Sequence, residues 1–208
     1  MNRVLVTGAS GFVGCHLVKE LLDKGMSLVC IDNFNSYYDV SLKVARKKYI
    51  VEYSKTNKIP PGNLIFIEQD ISDKDSLEKI FQRYNISSIC HLAAQAGVRY
   101  SIKNPYTYIQ NNIVATLNLL ELSKDYNVKD FVFASTSSVY GLTDTIPFKE
   151  SSITSTPIST YSASKSSCEQ LCHVYHNLYG IRFRILRFFT VYGPWGRPDM
   201  SYYKFTKA

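Results

Sequence analysis

Val4-Leu5-Val6-Thr7-Gly8-Ala9-Ser10-Gly11-Phe12-Val13-Gly14 is the stretch from which the fold can be read. Val4 to Val6 is a short apolar run of β-forming residues, and a helical pattern begins near Phe12. Between them lies a tight turn of small residues, with glycines at 8, 11 and 14. The spacing is G-x-x-G-x-x-G rather than the commoner G-x-G-x-x-G, and it predicts the same chemistry. Glycines let the backbone turn sharply and approach a pyrophosphate, and the helix N-terminus offers it unpaired N–H groups and a positive dipole end. A glycine triplet alone marks only a turn. Its place between a strand and a helix makes it a candidate dinucleotide site. A second apolar strand, Ser27 to Ile31, also ends in Asp32, about where an acidic ribose-binding residue belongs.

Outward from this turn, strand and helix alternate. The first helix is expected from about Gly11 to Lys24. Phe12, Val13, Leu17, Val18, Leu21 and Leu22 form its apolar stripe, and Gly25 closes it. A long excursion, Asn33 to Asn63, follows the second strand. Val40 to Lys55 reads as a helix within it, and Pro60-Pro61-Gly62 leads into a strand over Leu64 to Glu68. Asp73 is placed to cap a helix reaching about Tyr84. A strand over Ser88 to Leu92 runs into the small-residue stretch Ala93-Ala94-Gln95-Ala96-Gly97. Asn104-Pro105 is expected to start one long helix to about Asp125, followed by a strand over Asp130 to Ser135. A polar loop containing Pro147 and Pro157, a helix over about Ser159 to Tyr179 and a strand over Arg182 to Phe188 complete the series, with another helix at the end of the chain. The alternation predicts an α/β fold. Its core is a doubly wound parallel sheet with helices on both faces and ligands beyond the strands' carboxyl ends.

Composition narrows the function classes. A chain of 208 residues, 45% hydrophobic and 20% charged, can bury a full core. No apolar run approaches the ~20 residues a bilayer span needs, and no signal peptide or membrane association is expected. Five cysteines, scattered through expected strands and helices, fit reduced thiols and a cytoplasmic location better than a disulfide framework. The net charge of +7 comes without a basic stripe interleaved with aromatics, so nucleic acid is not the expected partner. The densest basic cluster, Arg46-Lys47-Lys48, reads as a solvated helix face.

Tyr161-Ser162-Ala163-Ser164-Lys165 is a Y-x-x-x-K pair, whose members share a helix face. An ammonium beside a phenol favours the phenolate and is expected to lower the Tyr161 pKa, making it a general base. Such pairs are common on amphipathic helices, and this one gains meaning by following a nucleotide fold. Upstream, Ser135-Thr136-Ser137-Ser138 closes a strand with hydroxyls. Such groups can simply bond local backbone, or one can sit beside Tyr161 and bond the reacting oxygen.

At this point the chain resembles the extended short-chain dehydrogenase/reductase superfamily and, within it, the NAD-dependent nucleotide-sugar epimerases and dehydratases. The resemblance covers essentially the whole chain. It rests on Thr7 to Gly14, His91-Leu92-Ala93-Ala94-Gln95, the Thr136 to Gly141 stretch, Tyr161 to Lys165, and Arg187-Phe188-Phe189-Thr190-Val191-Tyr192-Gly193-Pro194. It implies a Rossmann fold and a catalytic triad of Thr136, Tyr161 and Lys165. It also implies a tightly held NAD, reduced and reoxidised within one turnover. The implied cofactor site takes in Gly8, Gly11, Phe12, Val13, Gly14, Leu92, Ala93, Ala94, Gln95, Asn112, Ala134, Tyr161, Lys165 and Phe188. Asp32, Asn33 and Asn35 are placed at the adenosine ribose and Asp70 and Ile71 at the adenine. Asp32 would repel a 2′-phosphate, which favours NAD over NADP.

The subfamily follows from the same comparison. Dehydratases of this kind carry Asp-Glu directly after the active Thr, and UDP-glucuronate decarboxylases carry a Glu two residues after it. Here those places are Ser137 and Ser138, which leaves epimerisation. The segment Phe189 to Met200, and Ala96-Gly97-Val98-Arg99-Tyr100-Ser101, are similar to the UDP-glucuronate 4-epimerase group in particular. The UDP-galactose group usually has Asn where Thr190 stands, and that UDP-glucose/UDP-galactose chemistry is the alternative. Arg99 and Arg197 suit an acidic sugar nucleotide. The implied substrate contacts are Arg99, Thr136, Ser137, Ser138, Tyr161, Thr190 and Arg197. No metal is expected: Cys168, Cys172 and His176 could face one way on a helix, but zinc needs ligands converging from more than one element.

The same resemblance implies a C-terminal lobe that grips the nucleotide part of the substrate. Residues 1–188 are expected to form the NAD-binding domain. Residues 189–208 are expected to begin the substrate lobe, which is then largely absent. The expected alternatives are an epimerase with UDP-sugar as partner, acting as a homodimer, and a non-catalytic NAD-binding module. Net oxidoreduction is a weaker third.

Overall fold

The computed structural model describes residues 1–143 and 146–207, so Ala208 and two residues of the polar loop lie outside it. Six strands form one sheet in the order β3-β2-β1-β4-β5-β6, with every pairing parallel. They are β1 Arg3–Thr7, β2 Leu28–Asp32, β3 Leu64–Glu68, β4 Ile86–His91, β5 Asp130–Thr136 and β6 Arg182–Phe188. Helices α1 (Phe12–Asp23) and α2 (Val40–Thr56) cover one face. Helices α3 (Lys74–Arg83), α6 (Ala115–Asp125) and α7 (Thr160–Tyr179) cover the other. β1 alternates accordingly: Leu5 packs with Leu77, Leu119 and Phe131 on one side, and Val6 with Cys15, Val18 and Ile50 on the other. Phe131 and Phe133 are fully buried, and truncating either to Ala costs about 3–5 kcal/mol, a large share of a domain's stability. The strand order reverses between β1 and β4, which opens a crevice at their carboxyl ends.

Local signals set most boundaries. Gly25, at φ +72°, terminates α1 in the left-handed region. Asp73 caps α3 by accepting from Ser76 N at 3.2 Å. Ser159 and Ser162 form a capping box at the start of α7, and Gly180 closes that helix at φ +66°.

Two expectations need correction. The long helix from Asn104 to Asp125 is interrupted. A short helix α4 (Val98–Lys103) precedes it. A single turn, α5 (Pro105–Tyr108), then leads into a wider π-helical turn over Ile109–Val114 before α6. Asn112 lies in that turn, and its amide bonds both the N–H and the carbonyl of Gln95 at 2.8 and 3.1 Å. Nor is Arg46-Lys47-Lys48 a solvated face throughout. Arg46 is wholly buried, as nearly is Lys43, and α2 packs largely through polar groups with Ile50 as its buried apolar anchor. A charge count cannot see a guanidinium whose terminal nitrogens donate to carbonyls and a phenol.

No helix among the described residues is long and apolar enough to cross a membrane. All five cysteines are unpaired thiols. Cys168 packs in the core, with its Sγ 3.3 Å from Asn112 O, while His173 and His176 are exposed and His176 Nδ1 lies 2.8 Å from Ile181 O.

Candidate active site

A cleft of about 1050 Å³ opens over the carboxyl ends of the strands. Its floor is the glycine turn. A Cβ at Gly8 would lie 2.8 Å from Ala93 N, and one at Gly14 would lie 2.1 Å from Gly8 O, so β1, β4 and α1 meet there by backbone contact. Thr7 secures the junction. Its Oγ1 accepts from Ala93 N at 3.2 Å and lies 2.8 Å from His91 Nδ1, whose Nε2 is 3.0 Å from Thr116 Oγ1. Burial, reinforced by the nearby Lys165, holds that imidazole well below its ordinary range, so it is a neutral tie. Helix α1 starts without a side-chain cap and without an acidic residue in its first turn, leaving its N–H groups and dipole available to an anion.

One end of the cleft is a carboxylate cluster. Asp32 accepts from Ser10 N and Phe34 N, both at 3.0 Å, and pairs with Lys43 Nζ at 3.2 Å. Asn33 donates to Asp70 at 2.8 Å, and Ser72 N donates to the other Asp70 oxygen at 2.8 Å. Burial pushes the Asp70 carboxyl up, but these hydrogen bonds outweigh it and leave the pKa below its ordinary value.

Near the middle, β5 and α7 bring Thr136, Tyr161 and Lys165 together against the cleft. Thr136 Oγ1 accepts from Ser138 N at 3.2 Å, which fixes the strand end. Burial raises the Tyr161 pKa, with Thr136 and Arg197 pulling it back. The expectation that Lys165 would lower it therefore fails for the chain alone. Lys165 Nζ instead donates to Ala134 O at 2.7 Å and lies 4.6 Å over the Phe133 ring. Its own pKa falls to about 8 through burial. Behind the triad, Glu169 accepts from Ser135 Oγ at 2.5 Å and from Arg187 Nη2 at 2.8 Å, stitching β5, α7 and β6 together.

At the other end, Arg197 forks onto Asp199 at 3.0 and 2.6 Å, and Tyr37 Oη donates to the same carboxylate at 3.3 Å. Burial opposes the Arg197 charge, but Asp199 more than compensates and holds its pKa above the ordinary value. Arg99, Ser137, Ser138, Thr190 and Phe188 line the same space.

The cleft thus gathers every site residue expected from the sequence except Asn112. Asn112 is buried beneath it, with its amide turned to Gln95 and to Ser164 Oγ at 2.9 Å; its neighbour Asn111 lines the cleft instead. Sequence reasoning missed Tyr37, Lys43, Arg46, Glu169 and Asp199. Only the i, i+4 spacing of Glu169 from Lys165 was a signal that could have found one of them.

Residues 4–207 match a family model described as NAD dependent epimerase/dehydratase family. The chain is 47% identical over 205 residues to UDP-glucuronate 4-epimerase 4 of Arabidopsis thaliana, across 98% of this chain and 45% of that relative. It is similar to the solved structure of a Bacillus cereus UDP-glucuronic acid 4-epimerase in complex with UDP-glucuronic acid and NAD. That match has a TM-score of 0.82 and 39% identity over 97% of this chain and 60% of that one. A Thermotoga maritima UDP-glucose 4-epimerase with UDP-glucose matches at a TM-score of 0.80 and 34% identity, over 96% and 59%. The chain spans about half the length of the curated relatives it matches.

Proposed function

We propose that this chain, which belongs to the NAD dependent epimerase/dehydratase family, is the cofactor half of a nucleotide-sugar 4-epimerase that interconverts UDP-glucuronate and UDP-galacturonate. In this reading residues 1–188 bind NAD and residues 189–208 begin the substrate lobe. A homodimer and a cytoplasmic location belong to the same proposal, the latter in keeping with five free thiols. The observation that carries the reading is the end of β5. Thr136 faces Tyr161, and the next two positions hold Ser137 and Ser138, so no carboxylate stands there to expel water or direct loss of CO₂.

The residues present fit NAD. The glycine turn has no room for side chains, α1 presents an uncapped N-terminus, and Asp32, its charge shared with Lys43, places a carboxylate where a ribose 2′-position is expected. Gly8, Gly11 and Gly14 would hold the pyrophosphate, Asp32, Asn33 and Asn35 the adenosine ribose, and Asp70 and Ile71 the adenine. When bound, NAD supplies a hydride acceptor and donor for sugar C4. Tyr161 Oη takes the proton from the sugar 4-hydroxyl and returns it to the same oxygen. Lys165, one helical turn along α7, donates to Ala134 O in the chain alone and would turn to favour the phenolate once cofactor and sugar fill the cleft. Thr136 hydrogen-bonds the reacting oxygen. Arg197 and Arg99 meet the acidic sugar nucleotide, Arg197 with the guanidinium that Asp199 already orients.

The test is direct. The purified chain, supplied with NAD and UDP-glucuronate, is expected to form UDP-galacturonate that retains a deuterium label placed at C4. Tighter binding of NADP than NAD, loss of the label to solvent, or turnover of UDP-glucose as efficient as that of UDP-glucuronate overturns the reading. A second reading, a module that binds NAD without turnover, draws on the chain's own site, where Lys165 donates to Ala134 O and burial holds the Tyr161 pKa up. NAD binding with no product would support it.

A further inference from the structure

Arg46 is the largest of the side chains with no exposure at all. A charge so placed must be compensated by hydrogen bonds. The partners of its two terminal nitrogens are carbonyls and a phenol, while Nε is buried with no hydrogen-bond partner. Nη1 donates to Ser10 O at 3.3 Å and to Tyr38 Oη at 2.7 Å, and Nη2 donates to Trp195 O at 2.6 Å and Gly196 O at 3.4 Å. One side chain therefore joins the glycine turn to the two residues that immediately precede Arg197. Two neighbours grip the same segment. His16 of α1 lies 2.9 Å from Pro194 O, and the Tyr49 ring lies 5.6 Å from that of Trp195. Lys43, one turn before Arg46, holds Asp32 and Asn35. Lys43, Arg46 and Tyr49 recur every third residue and so run along one side of α2.

We propose that Arg46 is a positioning residue for the recognition of the acidic sugar: it sets Arg197 by fixing the backbone of the segment that carries it. The proposal rests on the reading of Arg197 as the contact for an acidic sugar nucleotide. The segment's other ties include a turn from Gly196 N to Gly193 O at 3.1 Å, the packing of Trp195 on the core and the Tyr37 bond to Asp199, and none of these bonds the carbonyls of Trp195 and Gly196. Trp195 sits at φ +64°, a conformation that a bulky side chain in a free loop would leave, whereas the φ of +142° at Gly193 is open to glycine without cost. A planar guanidinium can serve carbonyls on two sides at once, whereas an ammonium or an amide cannot span both. The long excursion between β2 and β3 thereby acquires a purpose, coupling the cofactor end of the cleft to the sugar end.

The test uses the 208-residue chain and its variants Arg46→Gln, Arg46→Lys and His16→Ala, the last at an exposed position that keeps the measurement possible should Arg46→Gln fail to fold. Amide exchange of residues 194–199 is followed together with calorimetric affinities for NAD and, at saturating NAD, for UDP-glucuronate and UDP-glucose. In Arg46→Gln, exchange of the segment is expected to rise and UDP-glucuronate to bind about 10-fold more weakly, with NAD and UDP-glucose changed less than about 3-fold. His16→Ala and Arg46→Lys follow in the same direction with smaller effects. Adding Arg46→Gln to Arg197→Ala should weaken UDP-glucuronate no further, because the two residues act as one unit. Equal weakening of both sugar nucleotides, a loss confined to NAD, or additive effects in the double variant overturns the proposal. Should the unaltered chain not distinguish the two sugar nucleotides, the reading of Arg197 falls. Exchange of 194–199 then decides on Arg46 by itself, and unchanged exchange in both Arg46→Gln and His16→Ala overturns it.

Discussion

At the end of the cleft proposed to hold adenosine, Asp32 is held by backbone N–H groups from Ser10 and Phe34, and Asp70 by the N–H of Ser72, with side-chain ties from Lys43 and Asn33. At the end proposed to hold the sugar, Arg197 is held by the side chain of Asp199, on a segment whose carbonyls are fastened by Arg46 of α2 and His16 of α1. The first construction is mostly local: its backbone ties span 2 and 22 positions, and its side-chain ties no more than 37. The second joins residues about 150 positions apart. Backbone ties survive most side-chain changes, whereas a strap of side chains can be cut by one substitution. The adenosine end should therefore behave as a rigid platform and the sugar end as an adjustable one.

The largest expected effect separates chemistry from both platforms. Tyr161→Phe should lower turnover by about 10²–10⁴-fold in a form of the protein that turns over, while NAD titrates as before. Near-normal activity would remove Tyr161 from the reaction. Next comes pH. Burial lowers the Lys165 pKa to about 8, below its ordinary unfolded value. Between those values the unfolded chain binds more protons than the folded one, so the contribution of Lys165 to stability rises with pH above 8. Denaturant unfolding of the cofactor-free chain, compared with Lys165→Met, should show this as a difference slope of up to about 1.4 kcal/mol per pH unit. A flat difference would mean that Lys165 is not desolvated as described.

Much of the fold was legible because it is periodic. β3 and β6 were expected with the bounds they have, and the glycine turn announced the β1–α1 junction because only backbone fits there. Tyr161 and Lys165 were legible as a helix repeat, whereas Thr136 was singled out from the strand-end hydroxyls only by the family resemblance. The π-helical turn at Ile109–Val114 was not, because the apolar pattern continues through it and only the tie from Asn112 to Gln95 marks the change. Lys43 and Arg46 were hidden for the opposite reason. Charged letters on a helix imply water, and their carbonyl and carboxylate partners at Ser10, Asp32 and Trp195 are visible only in three dimensions.

Smaller substitutions sharpen the contrast. Gly14→Ala forces a Cβ toward Gly8 O, at 2.1 Å before relaxation. It should cost about 1–3 kcal/mol, or roughly 2–12 °C in melting temperature. Gly62→Ala, where nothing lies within 4 Å, should leave melting almost unchanged. Equal effects would deny the adenosine platform its tight backbone packing. Smallest is Ser159→Ala, which removes the capping box of the helix that presents Tyr161. A loss of about 1 kcal/mol, read as a drop of roughly 2–4 °C, is expected.

The strand order has a consequence for how the chain is made. β1 is the first strand to leave the ribosome, yet it lies in the interior of the sheet, bonded to β2 on one side and to β4 on the other. The first three strands can assemble early, but the free edge of β1 must wait for Ile86–His91 to be synthesised. At about 5–20 residues per second that wait lasts several seconds, with a row of apolar-flanked N–H and C=O groups unpaired. The nascent chain is then most exposed to chaperones and to mispairing along that edge. Trimming the first few residues would remove the strand that both halves share, so a deletion through Thr7 should prevent the two halves from joining, whatever follows residue 208.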